Sequence, residues 1–471
     1  MHEGTAPPSQ PASPGPPKPG GAVRIALVSH VGTTNLGDEA ILSAAMGMVR
    51  AWTPAPEVLV FSVNAADSTQ RHAIVAHPVR PRPARVPAPA SAVAVAEPAP
   101  RPARGGAGLG ALLRAIPGAR SAVHALREGG AAVRAVLLEI PFLFRSWRRL
   151  RGTRLVIIAG SNQLGDWFGG PWGFPYTVLR WCALGRAAGA RVVFLGVGAG
   201  PIDARLSGRF CRWALNLAAY VSLRDRGSQA LVEACGFRGV SVVAPDLAFG
   251  LRPNPASRPY CTGPARVVVN VFPYKDPAYD PLVPAASEAF GRYVAMIAEV
   301  AAGLAGLGHR VSFVCSQRAD RRVIDAVLER LRGTQAASAP VQEPQTVAEI
   351  RQLLAEADFV VASRFHGVLL SLLAAQPVVA LCYQEKTREL MESVEMGRFA
   401  LDIGATDAAT ILARFGELAA QHARLREKLG AHAFRLHSRC IEQFGVAASL
   451  AGLSTAAARE RTGQIAPQGG G

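Results

Sequence analysis

Residues 23–42 read Val23-Arg24-Ile25-Ala26-Leu27-Val28-Ser29-His30-Val31-Gly32-Thr33-Thr34-Asn35-Leu36-Gly37-Asp38-Glu39-Ala40-Ile41-Leu42. The opening run is apolar and rich in β-branched residues, the middle is a glycine-containing loop, and the end starts an apolar period of helical spacing. A buried strand that feeds directly into a helix is the unit of a parallel sheet. The unit recurs: strands are expected at Val23–Ser29, Val58–Val63, Leu155–Ala159, Val192–Val197, Tyr220–Leu223 and Val240–Val243. Helical patterns such as Glu39–Trp52, Pro175–Ala188, Ser207–Leu217 and Gly227–Ala234 lie between them. Arg252–Pro264 holds four prolines and no period, which marks a linker. The alternation then restarts with Val267–Phe272, a helix over Ala285–Leu307, Val311–Cys315, a helix over Arg321–Leu331, Phe359–Ala362, a helix from Phe365, and Val378–Tyr383.

This pattern predicts an α/β protein of two Rossmann-like, doubly wound domains that face each other across a cleft. Residues 22–251 form the first domain, 252–264 the linker and 265–445 the second, with a disordered tail over 1–21 and a flexible one over 446–471. In open sheets of this kind ligands sit outside the carboxyl ends of the strands, so the loops that follow strands are the places to look for chemistry.

Composition removes several classes. The 471 residues are 49% hydrophobic and 18% charged, enough for large cores and unlike a disordered chain. Seven scattered cysteines without a CxxC pair exclude a zinc ribbon and a thioredoxin-type site, and their odd number points to reduced thiols. No metal-ligand spacing occurs, so no metal is expected. The proline-rich N-terminus lacks the apolar run of a secretory signal. The longest weakly polar stretch, Gly367–Tyr383, is shorter than the ~20 residues that span a bilayer. A cytoplasmic protein is the expectation.

The formal charge of +17 is uneven: residues 80–154 hold fourteen arginines against three glutamates, with no Lys or Asp. This is a basic Pro/Ala/Arg-rich insertion, 78–150, in the first domain. Its beginning, 78–105, reads as an extended linker, and 109–150 as an amphipathic helical segment. Two readings stay open for that segment. It covers its own domain, or it lies on an anionic membrane surface and makes the protein peripheral on the inner face of the membrane. Nucleic acid is not expected as a partner, because no aromatic-interleaved or helix-turn-helix pattern accompanies the arginines.

The strand-end loops carry the candidate site. After the first strand, the Gly37 loop with Asn35 and Asp38 runs into an acidic helical turn; free backbone N–H groups there suit an anion, and the carboxylates equally suit a helix N-terminus. The loop is neither GxGxxG nor a Walker motif. After the third strand, Gly160-Ser161-Asn162-Gln163-Leu164-Gly165-Asp166-Trp167-Phe168 puts a carboxylate among glycines and aromatics, as in a sugar site or in an ordinary Asx turn. Ser222-Leu223-Arg224-Asp225 ends a strand with a guanidinium fit for a carboxylate or phosphate, or for its own neighbour. In the second half, Ser363-Arg364-Phe365-His366-Gly367 sets a permanent cation two residues from a group that titrates near neutrality. Lys386, after Tyr383, can reach an anion in the same cleft or remain a solvated lysine at a helix start.

These loops, in this order, resemble the polysaccharide pyruvyl transferase family. The resemblance rests on Asn35 to Leu42, the G-x-N-x-x-G-D-like loop from Gly160 to Asp166, the Gly-x-Gly-x-Gly-Pro turn at Gly196–Pro201, and Ser222 to Asp225 with Ser228. Pro245-Asp246-Leu247-Ala248, Ser363 to Gly367 and the Tyr383/Lys386 element complete it, over about 22–75 and 152–400. It implies a fold similar to two-domain glycosyltransferases of the GT-B type. The implied reaction moves the carboxyvinyl carbon of phosphoenolpyruvate onto a saccharide, lipid-linked acceptors included, as a ketal with release of phosphate and no cofactor. By the same resemblance, His366 is the general acid/base and Arg364 and Arg224 bind the donor's anions. Asp166 orients or activates an acceptor hydroxyl, while Asn35, Gly37, Asp38, Asn162 and Lys386 line the substrate cleft. Two features depart from the family: Ala159-Gly160-Ser161 stands where a glycine triplet is common, and the 78–150 insertion has no counterpart. Two other functions compete: a nucleotide-sugar glycosyltransferase, with Glu385 or Glu389 on the ribose, and a scaffold acting through the basic insertion.

Overall fold

The computed structural model describes residues 23–52, 55–81, 138–167, 169–255, 263–280, 282–285 and 287–453. The expected tail over 1–21, most of the insertion and part of the linker lie outside the described residues.

The first domain contains β1 (Arg24–Val28), α1 (Leu36–Trp52), β2 (Glu57–Ser62), α2 (Ala65–His72), β3 (Ala76–Pro78), α3 (described over 138–150), β4 (Leu155–Ala159), α4 (Phe174–Ala187), β5 (Arg191–Val197), α5 (Arg205–Asn216), β6 (Tyr220–Leu223), α6 (Arg226–Ala234) and β7 (Val242–Val243). All its strand pairs are parallel, in the order β3-β2-β1-β4-β5-β6-β7. The second domain contains β8 (Arg266–Asn270), α7 (Glu288–Gly306), β9 (Arg310–Val314), α8 (Asp320–Arg330), β10 (Val341–Gln342), α9 (Val347–Glu356), β11 (Phe359–Ala362), α10 (Phe365–Leu373), β12 (Val378–Cys382), α11 (Glu385–Ser393), β13 (Ala400–Asp402), α12 (Ala408–Ala420) and α13 (His422–Leu450). Its sheet is parallel too, in the order β10-β9-β8-β11-β12-β13.

Central strands are buried on both faces, which is why β4 (LVIIA) and β12 (VVALC) are continuously apolar rather than alternating. The inner face of the first sheet, through Ile25, Leu27, Ile157 and Leu195, shares one core with α1, α13 and the second domain. The opposite face packs Phe61, Ile158 and Phe194 against Trp181 of α4 and Phe142 of α3. Helix α13 crosses back to the first domain: Gln443 Nε2 donates to Pro245 O (3.0 Å), Ser222 Oγ donates to Gln443 (2.8 Å), and Arg191 donates to Leu450 O (3.2 Å). It therefore runs past residue 445, where the flexible tail was expected to begin. Helix α7 is long and apolar enough to cross a membrane, yet Tyr293, Ile297, Val300, Ala301 and Leu304 are buried in the second domain's core.

Each sheet has one place where successive connections leave in opposite directions, between β1 and β4 in the first and between β8 and β11 in the second. Such switch points open a crevice at the carboxyl ends of the strands.

Candidate active site

The two switch points meet. Leu36 N, entering α1 after β1, donates to Ser316 O just beyond β9 (3.2 Å). One residue on, Gly37 lies against His366 so closely that a Cβ there would overlap the imidazole. Asn35 shapes this turn: Gly37 N donates to its Oδ1 (3.1 Å), and its Nδ2 donates to Asp38 Oδ2 (2.8 Å). The other Asp38 oxygen accepts from Ser161 Oγ (2.8 Å), which ties the loop after β1 to the loop after β4. Ser161 takes a left-handed conformation, φ 56°, which few non-glycine residues adopt. The serine at the end of the glycine-poor Ala159-Gly160-Ser161 stretch thus supplies a hydroxyl that a glycine lacks.

His366 lies in the first turn of α10, and its Nε2 points toward Asp246 Oδ1, 3.9 Å away. The other Asp246 oxygen accepts from Arg224 Nη1 (3.2 Å), and Arg224 Nε donates to Asp225 (3.4 Å). Burial alone would push the Asp246 carboxyl up, but His366 and Arg224 outweigh it and hold it down to about 2. Burial likewise opposes the charge on Arg224, and Asp246 and Asp225 restore it above its ordinary value. A Cβ at Gly198 would overlap both Arg224 and the Asn162 side-chain oxygen, so this glycine lets the two side chains converge. The Asn162 amide donates to Gly200 O, which fixes its orientation.

Phe365 organises the cations. The Arg224 guanidinium sits 4.9 Å from its ring centre and the Lys386 ammonium 5.3 Å from it, cation–π distances for both. Burial, then the charge of Arg224, push Lys386 down to about 7, against partial support from Asp225, Asp246 and Asp38. A lysine that titrates near neutrality beside a fixed guanidinium is suited to a multiply charged anion.

The pentapeptide after β11 is now accounted for residue by residue. Ser363 Oγ accepts from Phe272 N (2.7 Å) and bonds the Tyr293 hydroxyl (2.9 Å), joining the ends of β11 and β8. Arg364 Nε donates to both Asp320 oxygens (2.8 and 2.9 Å), and its Nη2 donates to the same carboxylate. Phe365 carries the cation pair and His366 faces Gly37 and Asp246. Gly367 leaves room for the Asn270 side chain.

Two expected roles look different in three dimensions. Arg364 is buried and pairs with buried Asp320; burial opposes its charge but Asp320 raises it well above the ordinary value. The guanidinium also lies over the face of Phe272 (5.1 Å), itself stacked on Tyr383 at 4.1 Å. Arg364 therefore braces the floor of the cleft, with two of its three nitrogens already engaged. Asp166 is not brought to the His366 cluster. Its carboxylate accepts from Ala204 N (2.9 Å) and Asp203 N (3.1 Å), at the start of α5. Burial pushes this group up, yet those backbone donors leave it below the ordinary carboxylate value. An anchored carboxylate of low basicity is a turn and helix-end anchor, a poor general base.

Asp246, Asp320, Phe272 and Phe365 were not singled out for roles from sequence. The available signal was position: Asp246 belongs to the Pro245-Asp246-Leu247-Ala248 motif, and Asp320 opens the helix after β9. Glu389, a candidate ribose ligand, reaches across the cleft: its oxygens accept from Arg226 N (2.9 Å) and Gly227 N (3.1 Å), at the start of α6. Glu385 is exposed. Among the described residues no group of three or more His, Cys, Asp or Glu could hold a metal ion.

The family model for polysaccharide pyruvyl transferases matches residues 35–385. No curated protein matches the chain. Among solved structures, Anabaena Alr3699/HepE in complex with UDP and glucose superposes with a TM-score of 0.53 at 14% identity, over 91% of this chain and 99% of that one. A glycosyltransferase from Rickettsia africae ESF-5 does so with a TM-score of 0.51 at 8% identity, over 91% of this chain and 98% of that one. At such identities the likeness concerns the fold, and it places the two facing domains in the GT-B class.

Proposed function

The chain belongs to the polysaccharide pyruvyl transferase family, and on that premise we propose that it transfers the pyruvyl group of phosphoenolpyruvate to two hydroxyls of a saccharide. The acceptor in this reading is a polysaccharide repeat or its lipid-linked precursor. The observation that carries it is the single cluster of His366, Asp246, Arg224 and Lys386 around Phe365, where the two switch points meet.

The chemistry requires a proton on the methylene carbon, which becomes the methyl group. An acceptor hydroxyl adds to the neighbouring carbon, and the C–O bond to phosphate breaks. A second hydroxyl closes the ketal, so each turnover releases one phosphate. His366 delivers and recovers the proton, with Asp246 Oδ1 3.9 Å from its Nε2. Arg224 and Lys386 neutralise the donor's carboxylate and phosphate. Asn35, Gly37, Asp38 and Asn162 shape the wall opposite.

Release of inorganic phosphate from phosphoenolpyruvate, assayed against a panel of lipid-linked and free glycans, tests the proposal. Acceptor-dependent release is expected. A thermal-shift response to nucleotide sugars and none to phosphoenolpyruvate would replace it with the glycosyltransferase reading.

A further inference from the structure

Helix α3 carries two stripes that its packing separates. Phe142, Ser146 and Leu150 recur every fourth residue and are buried on the first domain. Glu139 fastens the same side: it accepts from Arg180 (2.6 Å) and from the Tyr176 hydroxyl (3.2 Å) of α4, while Trp147 Nε1 donates to Ala187 O (3.2 Å). The opposite stripe, Ile140, Phe144 and Arg148, has the same spacing and faces outward. Ile140 is 62% exposed and Phe144 56%. Arg145, Arg148, Arg149 and Arg151 are exposed around them, with Arg148 over the Phe144 ring (5.9 Å) and Arg151 over Trp147 (5.4 Å).

The outward face does not end with the helix. Tyr176, bonded to Glu139, meets the ring of Trp172 (5.4 Å), which is 67% exposed. Trp172 meets Phe210 (5.6 Å), and Phe210 meets half-exposed Trp213 (5.9 Å). Exposed Trp172 and half-exposed Trp213, bridged by buried Phe210, thus continue an exposed Ile/Phe stripe flanked by four guanidinium groups, with no exposed carboxylate among the described residues of the helix. Outward apolar groups on a water-facing helix are costly, and aromatic rings beside arginines suit the headgroup boundary of a bilayer. The charge selects the occupant: residues 80–154 carry fourteen arginines and three glutamates, complementary to anionic lipid.

We propose that the outward face of 138–151, continued by Trp172 and Trp213, docks on a membrane surface bearing anionic phospholipid. Trp172 belongs to the connection that leaves the carboxyl end of β4, the end at which the cleft opens, so docking there sets the cleft close to the headgroups. This holds whichever acceptor the cleft takes.

Flotation of the full-length protein with vesicles of phosphatidylcholine, with and without phosphatidylglycerol, provides the test. Binding is expected only to the anionic vesicles, and it should weaken as salt rises. Replacing Arg145, Arg148 and Arg149 together by Gln should weaken it by roughly a hundredfold, about fivefold per arginine. Ile140→Ser with Phe144→Ser should weaken it as well, at an unchanged thermal midpoint, because these side chains face outward. Equal binding by the variants, or none by the parent chain, overturns the proposal. So does a change of oligomeric state in the Ser variant with vesicle binding intact, which would assign the face to a second copy of the chain.

Discussion

Gly37 of the first domain and His366 of the second occupy space that a single added methyl group would make impossible to share. This contact joins the carboxyl ends of β1 and β11, which flank the switch points of the two sheets, and it holds the imidazole toward Asp246. Gly37→Ala should therefore move the ring or part the domains without touching either core. We expect kcat to fall by at least ~100-fold, the contribution of a general acid–base group, with the thermal midpoint nearly unchanged. Wild-type turnover in a folded Gly37→Ala protein would show that His366 is not the proton donor.

Asp246 lies between His366 and Arg224, and its titration leaves a signature in stability. Its folded value, about 2, lies below the ordinary 3.8. A depressed carboxyl stabilises the fold above its unfolded value, and the benefit is lost as pH falls through the folded one. That contribution, about 2 kcal/mol, should disappear between about pH 4 and pH 2. Urea unfolding of Asp246→Asn beside the parent chain should show a difference that is full near pH 6 and shrinks below pH 4. A difference independent of pH would mean that the carboxylate does not feel His366 and Arg224.

Lys386 predicts a pH dependence of binding rather than of folding. Burial and the charge of Arg224 push it down to about 7, and an anionic ligand favours its charged form. Binding above pH 7 must then draw a proton from solution, so affinity for phosphoenolpyruvate should fall with rising pH by up to roughly tenfold per unit. Calorimetry in buffers of different ionisation enthalpy measures that uptake directly. Lys386→Met should bind more weakly near pH 7 and take up less proton above it; unchanged uptake would remove Lys386 from the donor site.

Much of this was legible because parallel sheets write themselves locally. Each strand-to-helix unit spells out its loop, so Asn35 to Asp38 and Ser363 to Gly367 could be placed at strand ends from sequence. The short edge strands Ala76–Pro78, Val341–Gln342 and Ala400–Asp402 escaped, since three residues or fewer with polar members have no detectable period. The pairings of Asp246 with Arg224 and of Asp320 with Arg364 escaped for another reason. They join residues that adjoin only when separate strands lie side by side, an adjacency set by strand order. The partners of Asp166 escaped in the same way, because residues 203 and 204 arrive from the loop after the next strand.

Asp166 is accordingly predicted to matter for stability and little for turnover. Asp166→Ala removes the acceptor for two backbone donors and should cost about 1–2 kcal/mol, as loss of a helix cap does. Asp166→Asn keeps an acceptor oxygen and should cost less. Both should retain kcat within tenfold. A hundredfold loss of turnover in a fully stable Asn variant would restore a catalytic role to this carboxylate.

Glu389 separates closure of the cleft from chemistry within it. Its carboxylate lies at the positive end of α6 in the opposite domain, where it bonds two free backbone N–H groups. The contact involves none of His366, Arg224 and Lys386, and it exists only while the domains are together. Glu389→Ala should favour the open form, raise KM for phosphoenolpyruvate roughly three- to tenfold, about the worth of one charge-assisted contact, and leave kcat little changed. Small-angle scattering should report a larger radius of gyration for the variant. A fall in kcat alone, at constant radius, would instead place Glu389 in the reaction itself.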